Sequence, residues 1–134
     1  MQKIRICIGS NDGKTMAQTH MGDTECFYLY DLVSNQRHVF VAKRENIAQD
    51  MDHDGADKMK AIISLVKDAE IFVARKKSPN FIKIAKQTRY QPVVVKVENI
   101  EGILTLLQGE FETIYAYVER RKNGETFETI PVVG

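Results

Sequence analysis

The stretch EIFVARKKSPNFIKIAKQTRYQPVVVKV, residues 70–97, decides the fold. Ile71-Phe72-Val73-Ala74 and Pro92-Val93-Val94-Val95 are short, continuous apolar runs, the pattern of strands buried on both faces of a parallel sheet. Between them Ser78-Pro79 is a helix start, with serine as N-cap and proline at the first helical position, and Phe81, Ile82, Ile84 and Ala85 follow it. Strand, helix, strand is one crossover unit, and its presence makes the chain an α/β domain.

Working toward the N-terminus, Met59, Ile62, Ile63 and Val66 repeat at i, i+3, i+4, i+7, which predicts a helix entered from the acidic stretch 50–57. Residues 3–8 alternate, with Ile4, Ile6 and Ile8 on one face and Arg5 and Cys7 on the other, which predicts a strand that Gly9 should end. Residues 25–31 and 37–43 are aromatic and β-branched runs joined by Val33-Ser34-Asn35-Gln36, a hairpin signal. Between the first strand and this hairpin, residues 9–23 read as a long loop, a feature that is uncommon and often functional.

Toward the C-terminus, Asn99 caps a helix carrying Ile100, Ile103, Leu104 and Leu107. After Gly109, Phe111, Ile114, Tyr115 and Val118 have helical spacing with Asn123-Gly124 as a stop, while Thr113, Tyr115 and Tyr117 also alternate as in a hairpin turning at Asn123-Gly124. The helix is the preferred reading. The element order β-β-β-α-β-α-β-α predicts a mixed five-stranded sheet: three antiparallel strands, then two parallel to the first, with helices on its faces.

At 134 residues, 43% hydrophobic and 28% charged, the chain is sized and composed for one globular domain. Lys plus Arg total 19 against 18 Asp plus Glu, a net charge of +1, which excludes a strong global field for nucleic acid or an anionic membrane and leaves only a local patch open. No apolar run approaches the roughly 20 residues of a membrane helix. The alternating start Met1-Gln2-Lys3-Ile4-Arg5 lacks a signal-peptide core, so the expected location is the cytoplasm. Cys7 and Cys26 are expected as thiols in buried strands, and without a CxxC motif these thiolates do not make a self-contained cluster site.

Several constellations have both a chemical and an ordinary reading. Gly9-Ser10-Asn11-Asp12-Gly13-Lys14-Thr15 approaches a phosphate-binding loop but has three residues, not four, between its glycines, and a tight turn is preferred. Asp50-Met51-Asp52-His53-Asp54-Gly55 matches half a calcium loop, yet Ala61 stands where the bidentate glutamate belongs and Lys58 at the ninth position. Acidic residues stabilising the positive end of a helix are the simpler account. Arg75-Lys76-Lys77 meets the start of the Ser78-Pro79 helix at the carboxyl end of a strand, a credible anion site, although a solvated face carries such cations too. His38 reads as a surface residue, whereas His20, in the long loop beside Met21, and His53, ahead of the first helix, offer imidazoles suited to soft or borderline metals.

Residues 3–9, then Asp12-Gly13-Lys14-Thr15, Thr19-His20-Met21-Gly22 and Phe27-Tyr28-Leu29-Tyr30-Asp31, together resemble the dinitrogenase iron-molybdenum cofactor biosynthesis domain of the NifX, NafY and NifB C-terminal type. The resemblance covers roughly residues 2–108 and divides the chain into a domain of that type, 1–108, and an extension, 109–134, packed on it. It implies a ribonuclease-H-like fold and a non-catalytic role: a carrier or chaperone for an iron-sulfur or iron-molybdenum-type cluster, transiently bound, with the cluster's donor and acceptor proteins as partners. The family's loop histidine corresponds to His20 and, loosely, a second one to His53; Met21 replaces the family's phenylalanine and adds a soft sulfur, with Cys26 as a further metal contact. The family's Gly-rich loop after the fourth strand is replaced by Arg75-Lys76-Lys77-Ser78-Pro79-Asn80, so these cations are candidate contacts to the cargo.

A ribonuclease-H-like fold also invites a nuclease reading, which needs carboxylates on the first and fourth strands to hold two metal ions. The first strand offers Ile4, Ile6, Cys7 and Ile8, and the fourth only Glu70 at its entry, so no enzymatic activity is expected. The alternative function is a regulatory module binding an anionic or phosphate-bearing ligand through Arg75, Lys76 and Lys77.

Overall fold

A computed structural model describes residues 2–18, 21–35, 37–51 and 56–134, with only the backbone of Ala56. Its elements run β1 (Lys3–Ser10), a 3-10 turn (Met21–Asp23), β2 (Cys26–Val33), β3 (Arg37–Glu45), α1 (Ala56–Leu65), β4 (Ile71–Ala74), α2 (Pro79–Gln87), β5 (Gln91–Val95), α3 (Ile100–Gly109), α4 (Phe111–Lys122) and β6 (Val132–Val133). They form one sheet of order β3-β2-β1-β4-β5-β6. The β1–β2 and β2–β3 pairs are antiparallel, and β4, β5 and β6 each pair in parallel with the preceding neighbour in that order.

The expected α/β architecture is therefore present, with six strands in place of five. The sixth, Val132–Val133, pairs with Val94 and Val95 and is too short to leave a period-2 signature. Residues 111–122 are helical, and Gly124 follows the C-cap Asn123 at φ +91°, a conformation that glycine adopts without a Cβ clash. Gly9 does not end β1. It pairs with Phe27, and Ser10 with Cys26, so the antiparallel ladder runs two residues past the expected stop.

Alternation along β1 decides which helices cover which face. Ile4, Ile6 and Ile8 belong to a core with Ile103, Leu104 and Leu107 of α3 and Phe111, Ile114 and Val118 of α4. Cys7 points the other way, into a core with Phe27, Leu29 and Phe72, Ile62 of α1, and Phe81, Ile84 and Ala85 of α2. Ser78 accepts a hydrogen bond from Phe81 N through its side chain, and Asn99 accepts one from Gly102 N, so both predicted N-caps do what their chemistry requires.

The segment after α4 is fastened by a buried cation. Arg121, 3% exposed, donates from Nε to Gln91 Oε1 at 2.7 Å and from its terminal nitrogens to the carbonyls of Ala85 at 2.8 Å, Thr88 at 2.9 Å and Phe127 at 3.2 Å. Its guanidinium lies over the Phe127 ring at 4.1 Å. Burial, with Arg120 alongside, lowers its pKa to about 10, which leaves it charged at neutral pH. Arg121→Ala strands three acceptors around the end of α2 and the start of β5 and a fourth in the segment after α4, and should cost about 2–4 kcal/mol. Denaturant unfolding checks the value, and hydrogen exchange should show the loss of protection concentrated in α2, β5 and β6.

Candidate functional site

β1 pairs with β4 only from Ile6 to Ile8, and β4 ends at Ala74. Beyond Ile8, β1 has no partner in β4, and a cleft of about 330 Å³ opens at the carboxyl ends of the two strands. Gly9 is on its floor; α1 and α2 form its walls through Ile62 and Phe81. This is where open α/β sheets bind ligands.

The chain leaving β1 is organised by side chains that cap its turn. The Asp12 carboxylate accepts from Lys14 N and Thr15 N, both at 2.9 Å, and from the Thr15 hydroxyl at 3.2 Å. Ser10 Oγ accepts from Gly13 N at 2.9 Å and donates to Thr15 O at 2.6 Å. Gly13 takes φ +75° with the Tyr28 hydroxyl 2.8 Å from where a Cβ would stand, so the position admits only glycine. The preferred tight-turn reading of residues 9–15 is the observed one, and the turn's amides are used internally.

Residues 14–17 then run against the β5–α3 connection. Met16 N donates to Glu98 O at 2.7 Å, Ile100 N to Lys14 O at 2.9 Å, and Ala17 N to Gly9 O at 3.0 Å. From residue 21 onward the chain is held by Asn46, whose side-chain amide donates to Gly22 O and Thr24 O, both at 2.8 Å. The Met21 side chain is thereby turned into the cleft, where Met16 and Met59 also line the wall.

The sequence-derived candidates separate. Met21, Arg75 and Lys76 line the cleft, and Lys77 is exposed outside the lining. Cys26, half-buried at the start of β2 opposite Ser10 and Glu45, does not line it. His20 and His53 lie outside the described residues, as does the centre of the calcium-like stretch. Among the described residues no three His, Cys, Asp or Glu side chains gather as a metal-binding group. Cys7 is fully buried, and burial pushes its thiol far above the usual range, which leaves it a packing residue.

Sequence reasoning assigned Lys58 no part in the site, and it is central to the wall. Its ammonium group is buried and donates to Asp23 Oδ1 at 2.6 Å, Gln49 O at 3.0 Å and Met51 O at 3.3 Å, joining α1 to the 3-10 turn. The available signal was its place four residues before Ile62, on the apolar face of α1. Gly22 is fitted to the same wall, since a Cβ there would stand 2.9 Å from Ile62 Cδ1.

The sequence model of the dinitrogenase iron-molybdenum cofactor family matches residues 2–110. The chain belongs to this family. Membership ties it to the biosynthesis or binding of the iron-molybdenum cofactor, a metal cluster. The match ends at the junction of α3 and α4, so α4 and β6 lie beyond the family's own span. No curated protein matches the chain.

The capped turn gives a pH signature. Donation from the Thr15 and Lys14 amides pulls the Asp12 carboxyl from an ordinary value of 3.8 down to about 2. Because the unfolded chain takes up this proton first, the contribution to stability is complete above pH 3.8 and disappears as pH falls through about 2. Asp12→Asn should remove that part of the acid dependence and flatten the stability curve between these two values, as read from urea unfolding at a series of pH values.

Proposed function

We propose that the protein is a non-catalytic carrier that receives an iron-sulfur-based metal cluster in the cleft at the ends of β1 and β4 and passes it to an acceptor protein. The observation that carries this reading is the lining of the cleft. Beside the Lys58–Asp23 pair its walls carry thioether and aromatic surface, Met16, Met21 and Met59 with Phe72 and Phe81, and its rim carries Arg75 and Lys76. A sulfide-bridged cluster is a polarisable anion, and this combination suits it: soft sulfur and aromatic surface for its faces, cations for its charge.

His20 is the proposed direct metal contact, two residues beyond Gln18, which lines the cleft, and next to Met21, which also does. His53 is a second imidazole for the same cargo, three residues before α1. Cys26, away from the lining, has no part in this reading. A carrier releases its cargo, so one or two protein ligands with electrostatic support are more useful than a closed coordination sphere.

A hydrolytic role has little to support it. Glu70, the acid at the entry to β4, accepts from Arg5 N at 2.9 Å and pairs with Lys122 at 2.9 Å, at the end of the sheet away from the cleft. The phosphate-module reading is weakened by the capped helix start, because Ser78 already occupies Phe81 N. The partners in this reading are the proteins that donate and accept the cluster, and the compartment is the cytoplasm, consistent with no helix among the described residues being long and apolar enough to cross a membrane.

Anaerobic titration with a [4Fe–4S] cluster ligated by small thiolates, followed by absorption and electron paramagnetic resonance, tests the reading. His20→Ala should weaken binding about tenfold or more, and Met21→Ala by less. Equal affinity in wild type and His20→Ala removes His20 as the contact; the absence of binding in all of them removes the carrier reading.

A further inference from the structure

Arg75 is the first residue after β4, and β4 lies between β1 and β5 in the sheet. Its guanidinium therefore reaches the chains leaving both neighbours. One terminal nitrogen donates to Gln18 Oε1, on the segment that follows β1, and the other stands 3.2 Å from Glu98 Oε1, on the connection that follows β5. The same Glu98 holds the first segment through its backbone, accepting from Met16 N at 2.7 Å. Arg75 also lines the cleft. At rest, then, one of the two rim cations is already engaged by a carboxylate of the protein itself, while Lys76 has no ion pair among the described residues.

The Arg75–Glu98 pair is built to exchange. The two side chains are 37% and 50% exposed, and an ion pair this open to water shifts an equilibrium by no more than about fivefold. A cargo carrying two negative charges, seated against the apolar wall where water is excluded, offers the guanidinium a stronger partner. We infer that Glu98 is a built-in competitor of the cargo for Arg75: the anion displaces the carboxylate on entry, and the carboxylate takes the guanidinium back as the cargo leaves. This deepens the carrier reading and rests on it. It makes Glu98 a determinant of affinity that the cargo never touches, and it makes the cleft select for anionic clusters over free metal cations, which gain nothing from Arg75.

The consequence is contrary to ordinary mutational expectation, since removing an acidic side chain at the rim improves binding. In anaerobic titration with the dianionic thiolate-ligated [4Fe–4S] cluster, Glu98→Gln should bind about threefold to fivefold tighter than wild type, and Glu98→Ala should repeat the gain. Arg75→Gln should bind more weakly than wild type, and adding Glu98→Gln to it should bring no gain, because the competed group is gone. Thermal unfolding of each variant checks that the fold is retained. An unchanged or weakened Glu98→Gln, or a gain that persists in the absence of Arg75, overturns the competition while leaving the carrier reading in place. Failure of all the proteins to bind the cluster overturns both.

Discussion

Everything at the cleft depends on how β1 is paired. Among the described strands it is the one with an antiparallel neighbour on one side and a parallel neighbour on the other, and its side chains are buried against helices on both faces of the sheet. The antiparallel ladder with β2 extends to Ser10, whereas the parallel ladder with β4 stops at Ile8. The last two residues of β1 thus have no partner in β4; Ala17 N reaches Gly9 O there, and the cleft opens beside that contact. Gly9 stands at that step because a Cβ would come within 2.8 Å of Thr24 Cγ2. A larger residue there would push the Met21–Thr24 turn away from the strand and distort the opening.

The opposite end of the sheet is treated in another way. There Arg5 bonds Asp31 at 2.9 Å and Asp68 at 2.9 Å, Arg44 bonds Asp68 at 2.5 Å, and Glu70 is shared by Arg5 N and Lys122. The Arg44 and Arg5 guanidiniums hold the Asp68 carboxyl well below the usual carboxylate range. A linked set of this kind is worth more than isolated surface pairs, because each side chain is ordered once for several contacts. The fold is closed at one end by charges with fixed partners and left open at the other, where the ion pair at the rim joins two connections and no regular element.

The sequence makes the strand–helix–strand unit, the hairpin and both N-caps legible because each rests on a local signal: an apolar run, an alternation, a serine before a proline. What it conceals follows from contacts distant in the chain. Val132–Val133 is a strand only because β5 presents a free edge to it. Arg121 belongs to a run of three cations, yet it stands seven residues after Ile114 and three after Val118, on the buried face of α4. Lys58 is hidden in the same way on α1. Neither residue stands out by type, and helical position is the signal that marks both. The site was legible in part: Met21, Arg75 and Lys76 reach the cleft, Lys77 and Cys26 do not.

The charges around the cleft then bear on what it holds. Its lining includes three cations, Lys58, Arg75 and Lys76, and one carboxylate, Asp23. Lys58 is bound to Asp23 and is buried, so it is structural: it ties the turn carrying Met21 to α1 and is not available without unmaking the wall. Arg75 is held by an exposed carboxylate that a ligand can replace, and Lys76 is held by none among the described residues. Among the described residues the three cations therefore form a series from fixed, through exchangeable, to one without an ion pair. Among the described residues the fixed one balances the one acidic side chain of the lining, and a charge that enters meets two further cations at the rim, one of them paired with Glu98. Under the proposed carrier function, this arrangement suits a cluster already dressed in sulfide or thiolate better than a free divalent metal ion.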